Sequence, residues 1–256
     1  MKIWGIKMGN IKRIKTGISG LDKLIEGGIP VGFNTLVIGG PGTGKTIFGL
    51  QYIYSGAISE ENGVYVSLES NTNELKDQAG EFGWNLEELE KSGKIILLKI
   101  PLNKKDFDIF NAIENAVKKI NAKRLVFDSL ITFSVNFDQF KIPLDYKINS
   151  DLKSMIGDDA MIFYKGKSRQ RTVYLLIDKL HSLGLTNLII TASEESQSKL
   201  TVDGVSEYVG DGLIKLHSVE GEEQFNTLNI IKMRLTNVNK GIYNFTFSKN
   251  GITINK

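Results

Sequence analysis

From Thr35 onward, short runs of β-branched and aliphatic residues alternate with longer stretches of helical periodicity. The runs are TLVIG (35–39), GVYVSL (63–68), KIILLK (94–99), RLVFD (124–128) and TNLIITA (186–192). The amphipathic stretches between them cover Lys45–Ala57, Thr72–Phe82, Asp106–Ile120 and Arg169–Leu183. Continuous apolar runs predict strands buried on both faces, and their alternation with helices predicts right-handed βαβ crossovers in a mostly parallel sheet. The helical stripe Phe107, Ile109, Phe110, Ile113 and Val117 reads as core.

After Gly212 the rhythm changes to consecutive strand-like runs, GLIKLHSV, QFNTLNIIKMRL, YNFTFS and GITIN. Turn residues such as Glu220-Gly221-Glu222 and Lys249-Asn250-Gly251 separate them, which predicts antiparallel strands closing the sheet edge. The class is α/β, and with no repeat or linker residues 1–256 are expected to form a single domain. The exception is 136–167, whose weak periodicity marks an insertion or lid. Within it Ser150 and Asp151 could cap a short helix at Leu152–Ile156, and MIFYKGK could be a strand or part of a lid. Loops of this length are uncommon unless functional or disordered.

Composition enters mainly by exclusion. The chain has 256 residues, 41% hydrophobic and 24% charged, enough for one sizeable core. It has no cysteine, which removes disulfides, thiolate metal sites and Cys nucleophiles together and makes a cytoplasmic protein the default. No apolar run approaches the roughly 20 residues of a membrane-spanning helix. The basic start, MKIWGIKMGNIKRIK, lacks the uninterrupted apolar stretch of a signal peptide and reads as mature protein. A net charge of +3 is weaker than a dedicated DNA-binding domain usually carries. Only five of the basic residues are arginine, so each position matters.

The chemistry is concentrated in Gly39-Gly40-Pro41-Gly42-Thr43-Gly44-Lys45-Thr46, which satisfies G-x-x-x-x-G-K-[ST] between a predicted strand and a predicted helix. There backbone N–H groups and the helix dipole converge on an anion. Residues Gly39–Thr46 with Ile47 are the expected nucleotide cradle. Lys45 supplies positive charge to the β and γ phosphate oxygens of a nucleotide, and Thr46 offers its hydroxyl to Mg2+. A second anchor for Mg2+ is expected from an Asp ending a neighbouring strand, and Asp128, closing RLVFD, fits. Hydrolysis also needs a group that orients or deprotonates water, for which Glu69, ending GVYVSLE, is the candidate; on the residues alone a surface glutamate at a strand end is the plainer reading. Asn103-Lys104-Lys105-Asp106 imitates a guanine-reading motif but precedes Asp128, whereas in small GTPases that motif follows the metal-binding Asp. Asp106 is expected to cap the helix over 107–120 instead. His181 and His217 have no partner at ligand spacing and read as structural.

These residues carry a resemblance spanning about Thr16 to Ile254. TGISGLDKLIEGGIPVGFNTLVIGGPGTGKT resembles the entry of a KaiC-type domain of the RecA superfamily. EYVGDGLIKL, TLNIIKMRLTN and FTFSKNGITI resemble that family's closing strands in family order. The resemblance implies a RecA-like three-layer P-loop core that assembles as a ring, commonly a hexamer, with ATP between subunits. It implies the phosphate loop at Gly39–Thr46, the Mg2+-side carboxylate at Asp128 and the catalytic glutamate at Glu69. The family's strand usually ends in two adjacent glutamates; here Ser70 follows Glu69, so one carboxylate carries any water activation and hydrolysis is expected to be slow. Lys232 and Arg234 resemble the K-x-R pair that reaches the γ-phosphate of the adjacent subunit, where a cation supplied in trans neutralises transferred charge. Alternation along Asn229–Leu235 puts both on one strand face; the plainer reading is a solvated pair on an edge strand. The clock members of the family carry tandem domains with autophosphorylation in the second. A single domain does not inherit that activity, so kinase chemistry is not expected.

The segment Ser193–Gly210, which faces the channel in RecA-like rings, has one lysine, Lys199, against Glu194, Glu195, Asp203 and Glu207. That is a poor composition for gripping nucleic acid. The denser basic patch, Lys165, Lys167, Arg169 and Arg171, could meet nucleic acid, a neighbouring subunit or only solvent. The leading expectation is a ring-forming ATPase that regulates a protein partner through its nucleotide state. The alternatives are a RecA-like DNA-recombination ATPase and an ATP-locked scaffold without catalysis.

Overall fold

The computed structural model describes residues 11–141, 169–194, 200–219 and 225–255. The predicted helix at 152–156, the MIFYKGK run, Lys165, Lys167, Glu195, Lys199 and the turn at 220–222 lie outside these residues, and the Arg169 side chain is likewise not described.

Two short strands, β1 (Arg13–Ile14) and β2 (Ile29–Pro30), pair antiparallel around the helical turn α1 (Leu21–Leu24). The main sheet contains β3 (Asn34–Gly39), β4 (Gly63–Ser67), β5 (Ile95–Lys99), β6 (Arg124–Asp128), β7 (Thr186–Ala192), β8 (Gly212–Val219), β9 (Phe225–Met233), β10 (Ile242–Ser248) and β11 (Gly251–Ile254). Its nine strands run in the order β11-β10-β9-β8-β3-β7-β6-β4-β5. Six of them, from β8 to β5, are parallel; β9, β10 and β11 add antiparallel pairs at the other end.

Helices cover both faces, as the two-sided apolar runs require. On one face α2 (Lys45–Ile58) and α3 (Thr72–Gly80) pack over Val37, Tyr65 and Val126; the short α4 (Leu86–Lys91) contributes Leu86. On the other, α5 (Ile109–Ile120), α6 (Leu130–Val135) and α7 (Arg169–Ser182) pack over Ile38, Val66 and Phe127. A single turn, α8 (Ser206–Val209), follows β7. Caps set the helix starts. Asn71 and Glu74 form a capping box on α3, and Asp108 accepts a hydrogen bond from Asn111 N at 3.0 Å on α5.

Three expectations need correction. Asp108, not Asp106, caps α5; Asp106 sits two residues upstream with φ of 55° in the approach turn. The run predicted to reach Leu235 ends as β9 at Met233, so Arg234 lies just beyond the strand rather than on its face. A register shift opposite Leu213/Ile214 disturbs the alternation there, because an extra residue in one strand rotates the side chains beyond it. Nor is β9 an edge, since it lies between β8 and β10.

The order of strands creates the site. The chain leaves β3, crosses two strand positions to β4, and later fills the gap with β6 and β7. Neighbouring crossovers therefore diverge at the C-terminal ends of β3, β6 and β4, where open α/β sheets leave a crevice.

Candidate functional site

At the end of β3 the chain turns through Gly40–Thr43 and enters α2. Gly44, the N-cap, has φ of 88°, and a side chain there would place Cβ 2.5 Å from Phe247 Cζ. This glycine is therefore required twice, for the left-handed backbone and for the close aromatic neighbour. Within the turn, Thr43 Oγ1 donates to Gly40 O at 2.9 Å and Lys45 Nζ donates to the same carbonyl at 2.6 Å. The loop is thus folded on itself, with its last backbone N–H groups at the helix N-terminus.

A cavity of about 670 Å3 opens over this turn, within the size range of small-molecule sites. Of the expected cradle, Gly39, Pro41, Gly42, Gly44, Lys45, Thr46 and Ile47 line it, whereas Gly40 and the buried Thr43 stand behind them as internal supports. Asp128 and Glu69 line the same cavity. The crevice thus gathers residues from three separate strand ends.

Thr46 Oγ1 donates to Asp128 Oδ2 at 3.1 Å, joining the first turn of α2 to the end of β6. Tyr65, wholly buried in β4, donates its hydroxyl to that same oxygen at 2.7 Å. Burial raises the Asp128 pKa, opposed by the Tyr65 hydrogen bond and reinforced by the Glu69 charge; Thr46 and Lys45 also oppose the rise. Burial and then the Asp128 charge push the Tyr65 phenol well above its ordinary range, so it remains a donor. Lys45 is lowered by burial, against the charges of Asp128 and Glu69. A hydroxyl and a carboxylate set side by side are hard oxygen donors of the kind Mg2+ selects, with phosphates and waters completing its shell. The donor set therefore fits that ion. Among the described residues no cluster of three His, Cys, Asp or Glu suits a resident metal of another kind.

Glu69 lies on the segment just after β4, and its carboxylate Oε1 accepts hydrogen bonds from the hydroxyls of Ser129 and Thr132. Those hydroxyls are 3.0 Å apart at the start of α6. From the outer strand, Lys99 Nζ donates to Leu68 O at 3.0 Å and Glu69 O at 2.8 Å. The backbone and carboxylate of Glu69 are therefore held from different elements.

Lys232 and Arg234 do not line the cavity. Lys232 Nζ donates to Tyr208 O at 3.3 Å, and burial, then Arg234, lowers its pKa against Asp211 and Glu207. Arg234 pairs with Asp211 at 3.0 Å, and its backbone N–H donates to Asp211 O at 2.9 Å. Two carboxylates of the segment after β7 are held internally: Asp203 accepts from Ser206 N at 2.6 Å and Glu207 from Thr201 N at 2.8 Å.

Sequence reading misses Tyr65, Ser129, Thr132, Lys99, Phe82 and Phe247, of which Ser129, Phe82 and Phe247 line the cavity. Ser129 and Thr132 had a local signal, since hydroxyls directly after a strand-ending Asp cap a helix facing the crevice. Tyr65, Lys99, Phe82 and Phe247 reach the site only through strand pairing and packing.

Comparison with known proteins agrees with this geometry. The family model "ATPase: KaiC" matches residues 14–142 and 160–256; the unmatched stretch between them falls within 136–167. The circadian clock oscillator protein KaiC of Synechococcus elongatus is 32% identical over 255 residues, covering 95% of this chain and 44% of that protein. The KaiC of Thermosynechococcus vestitus is 33% identical with the same coverage. The chain thus spans less than half the length of these relatives. A solved KaiC-like protein from Pyrococcus horikoshii superposes with a TM-score of 0.76 at 32% identity, over 96% of this chain and 100% of that one. With a RecA-like sheet, a phosphate loop at its first crossover and the family match across both flanks, the chain belongs to the KaiC family of P-loop ATPases.

Proposed function

We propose that the protein is an Mg2+-dependent ATPase whose sites are completed between the subunits of a homo-oligomeric ring, a hexamer, and that its nucleotide state regulates a protein partner. The observation that carries this reading is the division of the candidate site residues. Lys45, Thr46, Asp128 and Glu69 line one cavity, whereas Lys232 and Arg234 lie outside it. A cation needed at the γ-phosphate but absent from its own cleft is a candidate for service to a neighbour's.

In this reading the N–H groups of 42–46 and Lys45 hold the phosphates. Thr46 and Asp128 would hold Mg2+, which when bound neutralises phosphate charge and orients the transferring group. Glu69 orients a water and takes its proton as the oxygen attacks the γ-phosphorus. The bond from that phosphorus to the bridging oxygen breaks, releasing phosphate and ADP. Arg234, supplied by the next subunit, stabilises the charge spreading over the transferred oxygens. A single glutamate followed by Ser70 supports slow turnover. The ring can switch a partner because a γ-phosphate touched by two subunits gives its conformations different nucleotide affinities.

The remaining parts of the proposal are one domain over 1–256, with 136–167 as its insertion or lid, and a cytoplasmic location. No helix among the described residues is long and apolar enough to cross a membrane. The composition of 193–210, one lysine against four carboxylates, weighs against nucleic acid as the partner. The scaffold reading has one specific support, the capture of Glu69 by two hydroxyls.

The test is solution mass by light scattering with and without MgATP, on wild type and Arg234→Ala, with phosphate release followed on the same samples. A nucleotide-stabilised ring whose turnover falls at least about 100-fold in the variant is expected. A monomer with unchanged hydrolysis overturns the ring. A ring with no turnover in wild type leaves the scaffold.

A further inference from the structure

Tyr65 stands out among the buried aromatic residues because its hydroxyl donates to a carboxylate oxygen of the candidate site. In the β4–β6 register Tyr65 lies opposite Val126 and Ser67 opposite Asp128, so Tyr65 and Asp128 are diagonal neighbours on one face of the sheet. The hydroxyl reaches the carboxylate at 2.7 Å beneath the first turn of α2. Space for the ring is made by Gly49 of α2, where a Cβ would stand 3.2 Å from Tyr65 Cε2 and 2.9 Å from Val126 Cγ1. Sheet register, ring length and a helical glycine thus converge on one contact.

Both hydroxyls, Tyr65 and Thr46, address Oδ2; Oδ1 accepts no hydrogen bond among the described residues. With Oδ2 fixed from below and from the helix, the carboxylate plane is set and Oδ1 is the oxygen left for the cavity that Asp128 lines. Phenylalanine would fill the same core volume, so the hydroxyl is not explained by packing.

We infer that Tyr65 is a positioning residue for the metal-side carboxylate, holding Asp128 in the rotamer that presents its second oxygen to Mg2+. This rests on the reading of Asp128 proposed above. Partners of this kind, one step behind a metal ligand, are worth about 10- to 100-fold in metal affinity. The lower figure applies here because Thr46 remains as a second donor to the same oxygen.

The experiment measures Mn2+ binding by electron paramagnetic resonance on the full chain with ATP, for wild type, Tyr65→Phe, Asp128→Asn and the double variant. ATP affinity in EDTA checks the phosphate loop. Tyr65→Phe is expected to weaken Mn2+ about tenfold with ATP affinity in EDTA unchanged, and to add less than about twofold in the Asp128→Asn background. If Asp128→Asn leaves Mn2+ affinity untouched, the role of Asp128 fails and the inference with it. If Asp128→Asn weakens Mn2+ but Tyr65→Phe does not, or acts equally in both backgrounds, only the Tyr65 assignment is overturned. A second readout needs no substitution: in wild type with Cζ-labelled tyrosine, the Tyr65 resonance moves when Mg2+ joins bound ATP. A resonance indifferent to Mg2+ overturns the assignment.

Discussion

Helix α2 carries the phosphate loop, and glycines at positions 49 and 56, two turns apart, face β6. Replacing Gly56 by alanine sets two effects of opposite sign against each other. Alanine inside a helix is favoured over glycine by about 1 kcal/mol. The added Cβ, however, would stand 2.5 Å from both Cδ and Nε of Arg124 and 2.9 Å from the backbone oxygen of Glu61. The last of these is main chain. The first two belong to a guanidinium with little freedom to yield, since Arg124 is 1% exposed. Its Nη1 donates to Tyr52 O at 2.9 Å, its Nε to Glu61 Oε2 at 2.8 Å, and its Cζ lies 4.6 Å from the centre of the Tyr52 ring.

If Arg124 keeps its partners, the helix must shift, and overpacking of this kind costs about 1–3 kcal/mol. If Arg124 gives way, a buried charge loses its carboxylate, at about 3–5 kcal/mol. The chain takes the cheaper course, near 3 kcal/mol, so after the propensity gain Gly56→Ala is expected to destabilise by about 2 kcal/mol. At about 2–4 °C per kcal/mol for a chain of this size, Tm falls by about 4–8 °C. Urea unfolding followed by circular dichroism reads the same quantity from the midpoint, with unchanged slope. Gly80→Ala at the end of α3, where a Cβ meets nothing within 4 Å, is the control and should be neutral or slightly stabilising. A Gly56→Ala protein as stable as wild type would refute the claim that Arg124 is locked.

Glu69→Gln should lower phosphate release at least about 100-fold, because no second carboxylate follows it, while ATP affinity changes less than about threefold. Its amide oxygen can still accept the Ser129 and Thr132 hydroxyls, so retained turnover would point to a different base rather than a collapsed loop. Asp128→Asn should make the nucleotide-free protein melt higher than wild type at pH 7. The Asp128 pKa is raised in the fold, mainly by burial, so folding favours its protonated form. That advantage is present below the ordinary carboxylate range and lost as pH rises through the folded pKa, leaving at pH 7 an ionised group that asparagine replaces without charge. The difference in Tm should therefore vanish near pH 3; a lower-melting variant at pH 7 would contradict the sign.

Fold and site were legible to different depths for one reason, the distance over which each signal acts. Strands of a two-sided parallel sheet must be apolar throughout, and β3, β4, β5, β6 and β7 coincide with the apolar runs to within a residue or two. Short elements left weaker marks. In α4, LEELEK is mostly charged and buries only Leu86, so no period is visible. In α6, LITFSV is apolar enough to pass for a strand, and only the Ser129 cap marks it as helix. Alternation also does not encode direction, so nothing in GLIKLHSV says that β8 runs parallel to β3 while pairing antiparallel with β9.

The phosphate loop was legible because its parts are consecutive, and Asp128 and Glu69 because strand ends mark the crevice. Tyr65 was hidden because its significance is a register: it matters only when β4 lies beside β6 with Tyr65 opposite Val126. Yet a trace of that arrangement exists in the chain. Glycine weakens a helix interior, and two glycines seven residues apart in IFGLQYIYSGA fall on the same helical face, which is tolerated where something approaches closely. The neighbours are Arg124 at one glycine and Val126 with Tyr65 at the other, at opposite ends of the strand segment leading to Asp128. The helix that carries the phosphate loop is thus seated on the strand that ends in Asp128. Gly56 admits the ion pair that anchors the near end, and Gly49 admits the ring that orients the far one. The poorest helix formers in α2 are therefore the residues that bring its first turn to Asp128.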